Sequence, residues 1–217
     1  MNPPVRNYQK ELDALIEFNT REGIVPSLLL HSCCGPCSSS VLEYLTRYFS
    51  VTVFYYNPNI YPSGEYFRRL EEQKMLLSAM WTLHPVRLVE GAYETQRYYH
   101  AVQGLEDAPE GGERCWRCYA LRLEEAALLA RREGFDCFTT TLTVSPHKNS
   151  LKLNEIGMEM AEKYGVRFLN SDFKKKNGYR RSLELSAQYG LYRQDYCGCE
   201  FSRRNRPAKK TIEASDV

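Results

Sequence analysis

Short apolar runs alternate along this chain with longer stretches in which apolar residues recur every three or four positions. The apolar runs predict strands, which we place at residues 25–30, 51–56, 85–89, 135–142 and 167–169. The amphipathic stretches predict helices, which we place at residues 7–22, 37–48, 63–81, 115–133 and 148–164. Strands separated by helices of this length are typical of βαβ units, so the pattern predicts an α/β fold with a mostly parallel sheet.

The chain has 217 residues, a length that suits one domain with a sizeable core. We therefore expect a single α/β domain over residues 1–217, in which residues 178–217 form a capping segment and a basic tail because their periodicity is weaker. No apolar run approaches the roughly 20 residues that span a bilayer. The first residues also lack the apolar core of a secretion signal, so we expect a cytoplasmic protein without a membrane segment.

Parallel sheets of this kind bind ligands beyond the carboxyl ends of their strands. Four segments follow the predicted strands there, at residues 31–37, 57–62, 143–147 and 170–173. The first of them, HSCCGPC, carries three cysteines. Topology and chemistry therefore predict the same place for a functional site.

Thiol chemistry dominates the candidate functional residues. The eight cysteines are Cys33, Cys34, Cys37, Cys115, Cys118, Cys137, Cys197 and Cys199. A chain of this length does not need disulfides to fold, and without an export signal its clustered thiols are typical of metal ligands or redox groups. We expect Cys137, which lies inside a predicted strand, to be an inert thiol of the core.

The first cysteine cluster lies between a predicted strand and a predicted helix. Cys33 and Cys34 follow the strand, and Cys37 falls in the first helical turn, where the helix dipole favours thiolate. The sequence CGPC also matches the thioredoxin motif. The extra cysteine before it, the length of the chain and two further cysteine pairs argue against a thioredoxin.

Two more pairs follow. Cys115 and Cys118 are three residues apart at the start of a predicted helix, which puts both sulfurs on one face. Cys197 and Cys199 flank Gly198, whose flexibility allows a sharp bend, and a disulfide there would be strained and easily reduced. This last pair suits a catalytic redox couple or an open metal site.

Together the clusters predict a metal centre. Four thiolates, from Cys33, Cys34, Cys115 and Cys118, satisfy the ligand requirement of a [4Fe–4S] cluster, although a structural zinc ion also takes four cysteines. Zinc would not require further thiols. The remaining cysteines, Cys37 among them as a possible ligand, therefore favour redox chemistry or a second metal beside the first.

Five segments in this order resemble the QueH family of epoxyqueuosine reductases, over residues 27–202. They are LLLHSCCGPCSSSVLEYL, NPNIYPSGEYFRR, RCWRCYALRLEEAA, TTTLTVSPHKNS and SDFKKKNGYRRSLELSAQYGLYRQDYCGCEFS. The resemblance implies a Rossmann-like three-layer sandwich of the HUP (adenine nucleotide α-hydrolase-like) class. It also implies the last step of queuosine biosynthesis, in which epoxyqueuosine at the wobble position of tRNA is reduced to queuosine.

The resemblance also assigns roles to the thiols. The family's cluster cysteines match Cys33, Cys34, Cys115 and Cys118, and its redox-active pair matches the two late cysteines flanking Gly198. Many relatives have Asp in place of Cys37, which implies that this cysteine is not an obligatory ligand. As a hypothesis, an adjacent mononuclear iron binds the epoxide oxygen, and the late pair either ligates that iron or cycles between dithiol and disulfide.

Reduction of an epoxide also needs protons, and tRNA binding needs cations. The candidate proton donors are His147, Asp195 and Tyr196, whereas we expect His31 to orient the thiol-rich turn through a backbone hydrogen bond. Tyr56, Tyr61 and Tyr66 are candidate platforms for stacking on the splayed wobble base. The candidate phosphate contacts are Arg68, Arg69, Lys148, Lys174, Lys175, Lys176, Arg180 and Arg181.

Bulk charge does not decide whether the partner is a nucleic acid, because the net charge is only +2. The basic runs at 174–181 and 203–210 can neutralise phosphates or form a solvated face. An external electron donor is also expected. Two other functions remain open: an ATP-dependent tRNA-modifying enzyme such as a sulfur transferase, and a zinc-stabilised nucleic-acid-binding module. The thiol-rich turn lacks the glycines of a phosphate loop, which counts against the first.

Overall fold

The computed structural model describes residues 6–204 and shows five parallel strands in one sheet. The strands are β1 (Ser27–Ser32), β2 (Ser50–Tyr55), β3 (Arg87–Glu90), β4 (Cys137–Thr140) and β5 (Arg167–Phe168), in the order β3-β2-β1-β4-β5. This is the strand order of a Rossmann-like sheet, with β1 at its centre. The predicted α/β class with a parallel sheet is therefore confirmed.

Eight helices accompany the sheet within residues 6–204. They are α1 (Tyr8–Arg21), α2 (Gly35–Leu45), α3 (Ser63–Ala79), α4 (Thr95–Ala101), α5 (Glu113–Glu133), α6 (Ser150–Tyr164), α7 (Gly178–Gln188) and α8 (Glu200–Arg204). α4, α7 and α8 were not predicted as helices from the sequence. The part of the expected basic tail beyond residue 204 lies outside the described residues.

The helices cover both faces of the sheet because β1 alternates its side chains between two cores. Leu28 and Leu30 face α1, α2 and α3, whereas Leu29 faces α5 and α6. All three leucines have no exposed surface. A central strand buried on both faces is a continuous apolar run, which explains why this strand is visible in the sequence.

Local signals set the helix ends. The side chain of Asn7 accepts a hydrogen bond from the Lys10 amide at the start of α1, and Asn149 does the same for Lys152 in α6. Gly134 ends α5 in a left-handed conformation, as the sequence predicts. The strand expected over 135–142 stops earlier, because Thr140 caps a short 3-10 turn at Thr141–Val144.

The late segment that sequence periodicity left unassigned contains a regular helix. α7 packs against α2, and Leu185 is buried there. Residues 193–197 then run along the carboxyl edge of the sheet beside the first cysteine cluster. No helix within residues 6–204 combines the length and apolarity that crossing a membrane would take.

Close packing of α6 on the sheet depends on Gly157. A Cβ atom there would lie 2.4 Å from the ring of Phe168, which is itself packed edge-on against Phe138. We expect Gly157→Ala to lower the free energy of unfolding by about 2 kcal/mol, because the buried ring has no room to move. Chemical denaturation measures this change.

The matched control is Gly64→Ala near the start of α3, where an added Cβ meets no atom within 4 Å. It should be neutral, or raise the free energy of unfolding by up to about 1 kcal/mol through helix propensity. Equal effects of the two substitutions would contradict the packing argument.

Candidate metal and redox site

The first three cysteines lie where the central strand meets its helix. β1 ends at Ser32, Cys34 is the N-cap residue of α2, and Cys37 falls in the first turn of that helix. N–H groups at a helix N-terminus stabilise nearby negative charge, so this position favours thiolate. The structure therefore shows the strand–turn–helix arrangement that the sequence predicts for these thiols.

The Sγ atoms of Cys33, Cys34 and Cys37 all lie within 4.8 Å of one another. The Cys33 and Cys34 sulfurs are 3.7 Å apart, and all three thiols are free of disulfides. Sulfur ligands at this spacing can bind one metal ion. Cys37 is thus part of a sulfur triad, a place that the family resemblance did not give it.

Negative charge in this triad concentrates on one sulfur. Hydrogen bonds from the thiols of Cys34 and Cys37 lower the pKa of Cys33, and the positive charges of Lys148 and Arg122 lower it further. Burial and the bond to Cys33 raise the pKa of Cys34 to about 12. The same bonding to its neighbours raises the pKa of Cys37. Negative charge in the triad therefore favours Cys33, where two buried thiols support it.

Polar side chains from distant segments fix the turn that carries the triad. The hydroxyl groups of Ser32 and Ser38 both donate to Oε1 of Gln73 on α3, each at 2.7 Å. Nε2 of Gln194, in the late segment, donates to Sγ of Cys34 at 3.0 Å. The sulfur positions are therefore held by groups remote in sequence.

His31 orients the turn, as the sequence analysis expected. Its ring lies 3.1 Å through Nε2 from the carbonyl of Tyr56 and 2.9 Å through Nδ1 from the hydroxyl of Thr140. Complete burial and the charge of Arg122 lower the pKa of His31 to about 3, so the ring is neutral. Since a carbonyl only accepts, Nε2 carries the proton and Nδ1 accepts from Thr140.

The other four predicted site cysteines form a second group. Cys115 and Cys118 start α5, and Cys197 and Cys199 precede α8. Burial raises the pKa of Cys115, and raises that of Cys118 to about 12, and the charges of the late pair raise both further. These sulfurs thus share one electrostatic environment. Cys33, Cys34 and Cys115 also belong to one buried core cluster, although within residues 6–204 only the triad has three metal-binding groups within 4.8 Å.

The bend between the late cysteines is the one that Gly198 was expected to allow. Its φ of 130° lies in the region that favours glycine. Arg69 holds this bend: Nη1 donates to the carbonyl of Cys197 at 3.1 Å, and Nε pairs with Glu65 at 2.7 Å. Arg69 is only 1% exposed. It therefore does not present its charge at the surface as a phosphate contact, and instead positions the late cysteines.

Two cations link the two sulfur groups. Arg122, buried on α5, donates to the carbonyl of Cys118 at 3.2 Å, and its Nη2 has no hydrogen-bond partner in the described part of the chain. Burial alone lowers the pKa of Arg122, but electrostatic interaction with the sulfurs of Cys118, Cys197 and Cys33 raises it overall. Burial likewise lowers the pKa of Lys148, and interaction with the sulfurs of Cys197 and Cys33 raises it more. Both side chains therefore remain cationic between the sulfur groups.

Several of the side chains described above line a cavity of about 570 Å³ at the carboxyl edge of the sheet. Its wall includes Cys33, Cys37, Cys197, Arg122, Lys148 and Gln194. The volume falls in the range of small-molecule sites. The three candidate proton donors, His147, Asp195 and Tyr196, line it as well. The hydroxyl of Tyr196 donates to the carbonyl of Tyr61 at 2.6 Å.

The remaining candidate contacts for nucleic acid divide by exposure. Lys148 faces the cavity, whereas Arg68, Lys175 and Arg180 are exposed. Salt bridges join Lys174 to Asp172, Lys176 to Asp13 and Arg181 to Glu43. Of the candidate stacking residues, Tyr56 and Tyr66 are buried and Tyr61 is 42% exposed. Only Tyr61 is therefore placed to stack on a base.

Sequence reasoning missed Arg122, Gln73 and Gln194. Arg122 follows Cys118 by four residues, so helical spacing alone places it on the same face of α5. The two glutamines had no such signal, because each acts on the triad from a distant segment.

Comparison with known proteins identifies a family that this chain matches. A family model described as epoxyqueuosine reductase QueH matches residues 28–205. A protein of that name from Streptococcus pyogenes serotype M1 is 42% identical over 207 residues, which cover 94% of this chain and 81% of the relative. One from Staphylococcus epidermidis is 42% identical over 90% of this chain and 84% of its own length. One from Thermotoga maritima is 38% identical over 84% of this chain and 93% of its own length.

The parallel sheet and the thiol-lined cavity at its carboxyl edge define a Rossmann-like α/β protein with a site that can bind metal. The matched family and relatives span almost the whole described region. The chain belongs to the epoxyqueuosine reductase QueH family.

The role found for Arg69 can be tested by stability. Arg69→Met leaves Glu65 without its partner and frees the carbonyl of Cys197, so we expect the free energy of unfolding to fall by about 3 kcal/mol. Lys74→Met on the same helix removes only two exposed salt bridges, to Glu71 and Glu90, and should cost less than about 1 kcal/mol. Denaturant titration of both variants measures the difference, and similar small losses would show that Arg69 does not anchor the late segment.

Proposed function

We propose that this protein is an oxidoreductase that reduces epoxyqueuosine to queuosine at the wobble position of tRNA, the last step of queuosine biosynthesis. The observation that carries this proposal is the cysteine triad, of which Cys33 and Cys37 line the cavity, in a chain of the epoxyqueuosine reductase QueH family. Its relatives bear the name of that activity. The reaction takes two electrons and two protons and yields an alkene and water.

The donor set fits an iron–sulfur centre. Buried thiols beside two cations suit an anionic thiolate-bound cluster, and we propose a [4Fe–4S] cluster ligated by Cys33, Cys34, Cys115 and Cys118. The short sulfur distances make Cys37 a rival for one of these places. When bound, the cluster supplies electrons singly, and an adjacent mononuclear iron held by the late cysteine pair supplies a Lewis acid.

The chain's own residues bind the base and balance charge. The cavity has the volume for a modified nucleoside, and Arg122 lines it. A cation at this position stabilises negative charge that develops on an oxygen atom as the epoxide opens. Lys148 also lines the cavity and adds a second positive charge there.

The late pair supplies further chemistry. Cys197 lines the cavity and is partly exposed, whereas Cys199 is buried. A reactive thiol at the wall backed by a buried partner suits either a dithiol–disulfide couple or ligation of the second iron. Replacing Cys197 by Ser with the cluster retained should abolish turnover under either role.

The partners follow from the substrate. A cytoplasmic tRNA presents the wobble base in a single-stranded loop, from which it can be splayed into the cavity. Arg68, Lys175, Arg180 and neighbouring exposed cations support binding of its backbone. Electrons come from an external donor.

The direct test is reduction of the substrate. Protein purified without oxygen and assayed for iron and sulfide is incubated with a strong reductant and tRNA that carries epoxyqueuosine. Conversion to queuosine, followed by mass spectrometry of the digested nucleosides, is the expected result. An iron-loaded protein that leaves the epoxide intact would contradict the proposal.

Cysteine replacements should identify the metal ligands. We expect Cys33→Ser and Cys118→Ser to lose most of the bound iron and sulfide, because each removes one proposed ligand. Cys137→Ser is the matched control, since this buried thiol lies inside β4 and donates only to the carbonyl of Ser27 at 3.7 Å. Iron and sulfide per chain are the measurement.

Cys37→Ser decides between the two ligand sets. Iron content like that of the control would leave Cys37 outside the ligand set, as the family resemblance implies. Loss of iron from this variant with retention in Cys118→Ser would replace the proposed set by one that includes the triad.

A further inference from the structure

A second, smaller cavity lies between α2 and α7, apart from the thiols. Its volume is about 170 Å³, below the range typical of small-molecule sites but sufficient for a single compact group. Its wall includes Ser40, Glu43, Arg47, Lys175, Lys176 and Arg181. Four of these six side chains are cations, so the cavity favours an anion.

The cations are only partly neutralised by protein carboxylates. Glu43 accepts from Arg181 at 2.7 and 2.9 Å, and Lys176 pairs with Asp13 at 2.7 Å. Within residues 6–204, neither Arg47 nor Lys175 forms a salt bridge with a carboxylate. Two positive charges at this cavity are therefore available to a ligand.

A neutral hydrogen-bond donor at the cavity also favours an anion. Ser40 is 6% exposed, and its buried hydroxyl has no hydrogen-bond partner among residues 6–204. α7 begins at Gly178 on the cavity wall, where the Gly178 amide already donates to the carbonyl of Lys175 at 3.0 Å. The buried hydroxyl beside lysine and arginine is a donor that phosphate oxygens accept from.

The same two helices also line the cavity of about 570 Å³ at the carboxyl edge of the sheet, the reaction cavity. On α2, Cys37 lines the reaction cavity, and Ser40, three residues later and about 4.5 Å further along the axis, lines the smaller one. On α7, Tyr179 lines the reaction cavity, and its neighbour Gly178 lines the smaller one. The anion site is thus about one helical turn from the place where the modified base would react.

We propose that this cavity binds a backbone phosphate of the tRNA anticodon loop close to the wobble nucleotide. This inference rests on the proposed function, because it takes the reaction cavity as the place of the wobble base. Free phosphate has the same chemistry as a backbone phosphate, so the experiment distinguishes the two sources.

Two variants carry the test. Arg47→Gln combined with Lys175→Gln removes both available charges, and Ser40→Ala removes the unpartnered hydroxyl. The matched control is Arg131→Gln combined with Arg132→Gln, two exposed arginines at the far end of α5. All are compared with the wild-type protein at equal iron content.

Binding of an unmodified anticodon stem–loop RNA is measured by fluorescence anisotropy over a range of salt. We expect the double variant to raise the dissociation constant about tenfold and to reduce the slope of its logarithm against log salt by about 1.4, two contacts at about 0.7 each. Ser40→Ala should weaken binding about threefold. The control should match the wild type.

Three outcomes overturn the proposal. The first is wild-type affinity and salt dependence in the double variant. The second is an equal loss in the control, which shows only a general charge effect. The third concerns inorganic phosphate, whose binding is measured by ³¹P NMR. If the double variant loses phosphate binding while its RNA affinity stays at the wild-type value, the cavity is a site for free phosphate. Failure of the wild-type protein to reduce epoxyqueuosine tRNA would reject the proposed function separately, because the RNA-binding comparison does not use turnover.

Discussion

Negative charge on buried sulfur is the constraint on which the rest of this site depends. A thiolate inside a protein is costly unless cations or hydrogen-bond donors compensate it. Here the compensation comes from the N-terminus of α2, from two hydrogen-bonded thiols, and from Arg122 and Lys148. The same thiolates raise the pKa of both cations against the effect of their burial. Each group therefore stabilises the charged form of the other.

This mutual dependence explains why the late segment lies over the sheet edge. Cys197 interacts electrostatically with both Arg122 and Lys148, so its position matters relative to α5 and to the loop before α6. Arg69 fixes it through backbone carbonyls, and the amide of Tyr61 donates to the carbonyl of Gly198 at 2.8 Å. Gln194 then joins the segment to Cys34. The segment is thus tied to three parts of the sheet edge, which makes it a wall of the cavity.

Sequence patterns placed residues well where the buried face is mostly apolar. β1 and β2 are buried on both sides of the sheet, and α5 combines a broad apolar face with a glycine stop. α3 shows the opposite case, because its buried face includes Arg69 and Gln73 at helical spacing. A pattern of apolar residues assigns such side chains to solvent, which is why Arg69 was expected on the surface. α7 was missed for a related reason, since Ser182 and Ser186 occupy much of its buried face.

The candidate site follows the same division. Thiols are visible in a sequence because their clustering is chemically unusual, so all seven site cysteines could be named, and the topology placed the first cluster correctly at the edge of β1. The groups that position the thiols and stabilise negative charge on them are ordinary arginines, lysines and glutamines. Only the fold distinguishes Arg122 from an exposed arginine. α2 shows why this matters for function. Its N-terminal turn faces the reaction cavity with Cys37, and its next turn faces the anion-binding cavity with Ser40. One rigid helix therefore fixes the distance between the sulfur triad and the smaller cavity, so a substrate held at both would be aligned without movement of the protein.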